Sequence, residues 1–152
     1  MKFKEAVTYD DMLIVPQYSD IQSRQEVDIS SNLNETIRLQ LPILASPMDT
    51  VSEIDMSVAM AKAGGLAVIH RYNSITEQGR LVSQAGAVIS QDFESPVTAA
   101  AIGVSGDFLE RATTVVALGA KVLCVDVAHG HHIMMKNALH ELRKAFGDDI
   151  YI

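Results

Sequence analysis

KVLCVDVAHGHHIMMKNALHELRKAFGDDIYI, residues 121–152, decides the fold in one stretch. KVLCVDV (121–127) is an almost unbroken apolar run of strand length, the pattern of a strand covered on both faces. The turn AHGHH follows. Met135, Leu139, Leu142 and Phe146 then recur at i, i+4, i+7 and i+11, which sets them on one face of a helix. Gly147 closes that helix, and DIYI opens another strand at the last residue. A buried strand, an amphipathic helix and the start of the next strand make one βα unit.

The unit recurs upstream. TAAAIGV (98–104) reads as a strand, and the helix predicted over about 107–118 turns Phe108, Ala112 and Val115 inward before Gly119. LAVIH (66–70) is another buried strand. Ser74 and Glu77 after it form an S-x-x-E capping box that opens a helix through about Gln84. LPILAS (41–46) is the first strand of the series. Helix signals follow from Ser52, with Met56, Ala59, Met60 and Ala63 at helical spacing and Gly64 and Gly65 ending the run. Residues 86–97 hold turn residues around a short apolar piece and read as a connection. Residues 1–40 read as an arm of extended segments and turns, in which MLIVP is closed by Pro16.

Apolar strands alternating with amphipathic helices predict an α/β fold with a helix-covered parallel sheet. Two architectures fit. A doubly wound open sheet is complete at about five strands, whereas a (β/α)8 barrel normally needs ~250 residues. The pattern alone favours the open sheet, because it fits 152 residues. Strand order separates the two: consecutive order suits part of a barrel, and a 2-1-3-4 order excludes it.

Composition narrows the function classes. The chain has 12 basic and 19 acidic side chains, a formal charge of −7, and no cluster of Lys or Arg. That argues against a nucleic-acid or anionic-membrane surface. No apolar run approaches the ~20 residues that span a bilayer, and MKFKEAVTYDDML lacks the apolar core of a signal peptide. The single Cys forms no internal disulfide, so a cytoplasmic setting is expected.

In either architecture, ligands gather where strands end and helices begin. Those ends carry Ser46 to Thr50, then His70, Arg71 and Tyr72, then Gly103, and finally Asp126 to His132. Gly103 leaves room for a ligand to approach the backbone. Asp126 is the leading candidate, since an acid ending an apolar strand needs hydrogen-bond partners. A ribose diol is one such partner; a helix cap or a basic neighbour is the other reading. His129, His131 and His132, at i, i+2 and i+3, do not converge on a metal ion as an i, i+4 pair would. They read as hydrogen-bonding or solvated residues. Cys124 lies mid-strand and reads as a structural thiol.

These strings also resemble a known family. LPILASPMDTVSE, AMAKAGGLAVIHR, AAAIGV and LGAKVLCVDVAHGHH are similar to segments of the inosine monophosphate dehydrogenase and guanosine monophosphate reductase family, and TYDDMLIVPQYSDIQSRQEVD resembles its N-terminal arm. The resemblance implies the N-terminal half of a (β/α)8 TIM barrel over 41–152, about four βα units plus the start of strand five, preceded by the arm at 1–40. It implies nicotinamide-dependent chemistry at carbon 2 of a purine nucleotide, through a covalent cysteine adduct. In the reductase branch NADP(H) converts GMP to IMP, and in the dehydrogenase branch NAD(H) chemistry converts IMP to XMP. A monovalent cation in the parent enzyme belongs to the same expectation.

By this resemblance Asp126, Val127, Ala128 and Arg71 match cofactor-binding positions, with Asp126 on the nicotinamide ribose. Ser46 and Met48 match the nucleotide pocket. Ser23 and Arg24 match a reductase pair that reaches the 2′-phosphate end of NADPH on a neighbouring subunit, for which an Arg fork is suited. SRQEVD, Val127 and the short connection at 86–97, where many dehydrogenases insert a pair of CBS domains, lean towards the reductase. SPMDTVSE is closer to dehydrogenases. The family's catalytic Cys falls after strand six, so no catalytic residue is expected here and the chain is expected to be inactive alone. Full-length homotetramers, or a partner supplying the missing C-terminal half, are the implied assemblies. A non-enzymatic α/β nucleotide-binding module is the remaining alternative.

Overall fold

The computed structural model describes residues 3–93 and 96–152. Two short 3-10 turns, Tyr9–Asp11 and Arg24–Glu26, punctuate an arm whose apolar side chains lie largely in the open. A small antiparallel hairpin follows, β1 (Ser31–Asn32) and β2 (Arg38–Leu39). Asn34 makes its turn: the Asn34 Oδ1 accepts the backbone N–H groups of Thr36 at 2.9 Å and Ile37 at 2.6 Å.

The rest alternates strand and helix: β3 (Leu44–Ala45), α1 (Ile54–Lys62), β4 (Leu66–Ile69), α2 (Ile75–Ile89), β5 (Ala99–Ile102), α3 (Phe108–Ala117), β6 (Val122–Val125) and α4 (Ile133–Phe146). The four later strands form one parallel sheet in the order β3-β4-β5-β6. The fifth strand expected at DIYI is present as one parallel bridge, Val122 to Tyr151, on the outer side of β6. This consecutive order is compatible with part of a (β/α)8 barrel. The reordered doubly wound sheet that length favours is not observed.

Period-two alternation splits the core into two layers. Ile69, Ala100, Ile102 and Leu123 pack with Leu81, Val82, Ala85, Ala112, Val115 and Leu142 from the helices. On the other face Leu66, Val68, Ala99, Ala101 and Val122 pack with Ile37 and Leu39 of the hairpin. The helix predicted over 107–118 is seen almost residue for residue, with Asp107 and Leu118 as its caps.

Elsewhere the structure corrects the sequence reading. Each strand is shorter than its apolar run, because residues at the ends of the run leave the ladder for the flanking loops. The stripe Met56, Ala59, Met60 and Ala63 is not the buried face of α1; Ser57 is that helix's buried residue. The helix packs against β4 and α2, and Met56 and Met60 are only half-buried there while Ala59 and Ala63 stay exposed. Helix α2 runs past Gln84 to Ile89, since burial of Ala85 and Ile89 outweighs the weak propensity of Gly86. The connection therefore shrinks to residues 90–97, of which 94 and 95 lie outside the described residues. Half of the capping box forms: Ser74 Oγ accepts the Glu77 N–H at 3.1 Å, while the Glu77 carboxylate accepts from Arg80 Nε at 2.9 Å. Among the described residues, no helix is long and apolar enough to cross a membrane.

Candidate functional site

The loop after β3 is built on an internal scaffold. Ser52 is 1% exposed, and its hydroxyl donates to the Ser46 carbonyl. The Met48 carbonyl accepts the N–H groups of Val51 at 3.2 Å and Ser52 at 2.9 Å. Between them Thr50 sits at φ 59°, left-handed backbone that a β-branched residue adopts at a strain of about 1–3 kcal/mol. Nothing in the sequence pattern signals that strain. Ser46 and Met48 themselves are exposed at this end of the sheet.

A buried histidine ties this loop to β4. His70 is 2% exposed; its backbone N–H donates to the Ser52 carbonyl at 3.2 Å. Nδ1 accepts the Tyr72 N–H at 3.2 Å, which leaves the ring proton on Nε2 to donate to Glu53 Oε1 at 2.9 Å. The carboxylate of Asp49 lies 3.9 Å from the same nitrogen. Glu53 and the pinning role of His70 are not readable from spacing, because they are seventeen positions apart and meet only when α1 folds back on β4.

Arg71 and Asp126, two residues singled out in the sequence, meet. Arg71 leaves the end of β4 and crosses the end of β5 to reach the residue after β6. Arg71 Nη2 donates to the Asp126 carbonyl at 3.2 Å, and Arg71 Nε lies 3.9 Å from Asp126 Oδ2. The two side chains are each 34% exposed. The basic-neighbour reading of Asp126 is thus realised, and about a third of its side chain stays exposed. Arg71 Nε is buried and has no hydrogen-bond partner among the described residues. The guanidinium also lies over the Tyr72 ring, 5.7 Å from its centroid.

Gly103 at the end of β5 makes that crossing feasible, though not as expected from sequence. A Cβ placed there would meet Arg71 Nη1 at 3.6 Å, an ordinary contact, so the arginine packs directly over Gly103 and a side chain longer than alanine would compete with it for that space. Val127 is half-buried and Ala128 exposed just beyond Asp126.

The remaining candidates are placed less centrally. His132 is the N-cap of α4, its Nδ1 accepting the Met134 N–H at 3.1 Å, and His129 stands edge-on to it at 6.3 Å. Among the described residues no group of three or more His, Cys, Asp or Glu is arranged to hold a metal ion. Cys124 faces the sheet side opposite the helices; burial pushes its thiol up from the ordinary value, and the negative charge of Asp126 adds to the effect. Ser23 caps the short 3-10 turn that begins at Arg24, through the Gln25 N–H at 3.2 Å. No hydrogen bond or ion pair among the described residues joins Ser23 or Arg24 to Arg71 or Asp126.

Comparison with known proteins gives a consistent picture. A sequence model of the IMP dehydrogenase / GMP reductase domain matches residues 6–152. An inosine-5′-monophosphate dehydrogenase of Nitrosopumilus maritimus is 49% identical over 82 residues, which is 54% of this chain and 17% of that protein. One from Rhodopirellula baltica is 38% identical over 109 residues, 70% of this chain and 20% of that protein. A GMP reductase of Leishmania donovani is 44% identical over 92 residues, 60% of this chain and 19% of that protein. The matched stretch thus spans about a fifth of the length of these curated relatives.

Proposed function

The chain belongs to the IMP dehydrogenase / GMP reductase family, and from that premise we propose that it forms part of the cofactor and nucleotide site of a purine nucleotide oxidoreductase, with NADPH-dependent reduction of GMP to IMP as its activity. The observation that carries this reading is the Arg71–Asp126 pair, which joins the ends of β4 and β6 across Gly103.

The residues present fit a nicotinamide dinucleotide. The partly open carboxylate of Asp126 has lone pairs left to accept from a ribose diol, and the orphaned Arg71 Nε is a donor in search of an oxygen. Bound there, the dinucleotide supplies the hydride. Arg71 orients the Asp126 carboxylate, so that it receives the ribose. Val127 and Ala128 continue the cofactor wall. Ser46 and Met48 face the purine nucleotide from the strained loop, which the Ser52 and His70 bonds hold in shape. Arg24, in the arm, is suited to the 2′-phosphate of NADPH supplied to a neighbouring subunit of a cytoplasmic homotetramer. Cys124 is not the family's nucleophile: it lies within β6, and burial keeps it a thiol.

A second reading, IMP dehydrogenase without inserted CBS domains, is favoured by PMDTVSE at 47–53 and by relatives of both names. The parent protein decides between them. NADPH oxidation with GMP is expected, and NAD reduction with IMP in its place would establish the dehydrogenase. The purified chain is expected to turn over neither, and turnover by it would refute the assignment of Cys124.

A further inference from the structure

Behind the Arg71–Asp126 pair lies a buried polar cluster. Gln78 of α2 is fully buried and Arg111 of α3 is 7% exposed. A carboxamide and a guanidinium against an apolar core destabilise the fold unless their polar atoms find partners. Gln78 Nε2 donates to the Ala101 carbonyl at 2.8 Å and the Ile69 carbonyl at 3.3 Å. Gln78 Oε1 accepts from Arg111 Nη1 at 3.1 Å. Arg111 Nη2 donates to the Asn73 carbonyl at 3.1 Å and to Asp107 Oδ2 at 2.8 Å. Two side chains thus hold three backbone carbonyls, all at the carboxyl ends of β4 and β5.

Their location has a consequence for the site. The ladder between β4 and β5 stops at Ile69 opposite Ala100, while the one between β5 and β6 continues to Ile102 opposite Val125. Gln78 bridges the two strands where the first ladder ends. Residues 70–73 are suspended between two of the bonds, Ile69 before them and Asn73 at their end. Arg71 lies in the middle of that span and reaches over Gly103, two residues beyond Ala101.

We infer that Gln78 and Arg111 are positioning residues for the cofactor site: they set the spacing of the β4 and β5 ends and the path of residues 70–73, and so hold Arg71 across Gly103 against Asp126. The planar fork of Arg111 serves Gln78 and Asn73 at one fixed geometry. A lysine ammonium is a point charge on a flexible stem and does not. The functional weight of this role rests on the reading of Arg71 and Asp126 as cofactor-binding, so the test has a ligand-free arm.

In the full chain without ligand, Arg111→Lys is expected to shift the NMR amide signals of Arg71, Gly103 and Asp126 and the Arg71 Nε–H signal. In an Arg71→Ala background the shift at Asp126 is expected to vanish, because the link runs through the Arg71 side chain. Asp107→Asn leaves the Gln78 bond intact and moves the same signals less, in the same direction; it carries the test if the lysine variant does not fold. An Asp126 shift that persists without Arg71, or no shift in either variant, overturns the positioning role. In NADPH titrations of the parent enzyme carrying the same substitutions, Arg111→Lys weakens affinity about tenfold when Arg71 is present and has no effect when it is absent. Ligand-free coupling in a parent enzyme whose NADPH affinity is the same with and without Arg71 refutes the cofactor reading and leaves the positioning role standing.

Discussion

Gly103→Val is expected to separate Arg71 from Asp126, whereas Gly103→Ala is not. A Cβ at Gly103 meets Arg71 Nη1 at 3.6 Å and Cζ at 3.7 Å, ordinary contact distances, and Gly103 is not among the residues with positive φ. Alanine therefore fits without moving the guanidinium, and its smaller unfolded-state freedom leaves stability within about 0.5 kcal/mol of the parent or slightly above it. Valine adds two carbons, of which at most one points away. A methyl aimed at the guanidinium reaches about 1.5 Å farther and approaches it to roughly 2 Å at the limit, inside van der Waals contact. Arg71 must move, losing the 3.2 Å bond to the Asp126 carbonyl and the 3.9 Å ion pair. Both side chains are a third exposed, so the ion pair is worth no more than about 1 kcal/mol, the Coulomb energy near that separation in water. The hydrogen bond adds about 1 kcal/mol. Urea unfolding should thus show a loss of roughly 1–2 kcal/mol for valine. In an Arg71→Ala background that loss should shrink, since the clash has no partner. Equal losses for alanine and valine, or a valine loss unchanged without Arg71, would refute the crossing as the reason for this glycine.

Four further outcomes are expected. In the parent enzyme, Arg24→Ala weakens NADPH binding much more than NADH binding, and an equal loss for both removes the 2′-phosphate role. Cys124 has a thiol pKa raised above its ordinary 9.0 by burial first and Asp126 second. Its neutral form is thus favoured by folding, and the associated stability is complete below pH 9 and declines as pH rises through the folded value; Cys124→Ala should abolish that alkaline decline. The same raised value predicts that iodoacetamide labels native Cys124 at pH 8 far more slowly than the urea-unfolded chain, with mass spectrometry as the readout. Ser74→Ala removes the cap on the Glu77 N–H and is expected to lower stability by about 1 kcal/mol in urea unfolding.

How much of this was legible beforehand varies element by element. The helix at Phe108–Ala117 could be read closely because Phe108, Ala112 and Val115 recur at helical spacing and Gly119 stops the run. Helix α1 misled, because its stripe repeats just as regularly while Met56 and Met60 are only half-buried and Ala59 and Ala63 are exposed. Helix α2 outran its expected end, because Gly86 weakens a helix locally but Ile89 gains from burial against a sheet that periodicity does not reveal. In the site, Arg71 and Asp126 were recognisable as polar residues at the ends of apolar strands. Gln78 and Arg111 were not, since each stands on a helix where a polar residue ordinarily faces water.

The sequence by itself determined the βα alternation, the residues at the carboxyl ends of the strands, and the family. All are local properties, set by periodicity, caps and contiguous strings. Strand order was decided only in three dimensions, because apolar runs carry no label for which neighbour they pair with. The tertiary structure also decided that Arg71 occupies the space above Gly103 and that a glutamine and an arginine from two helices hold the strand ends beneath it. Apart from the Gln78–Ile69 bond, these hydrogen bonds join residues 23 to 55 positions apart, and a hydrogen bond over that distance along the chain exists only after the sheet has assembled around it.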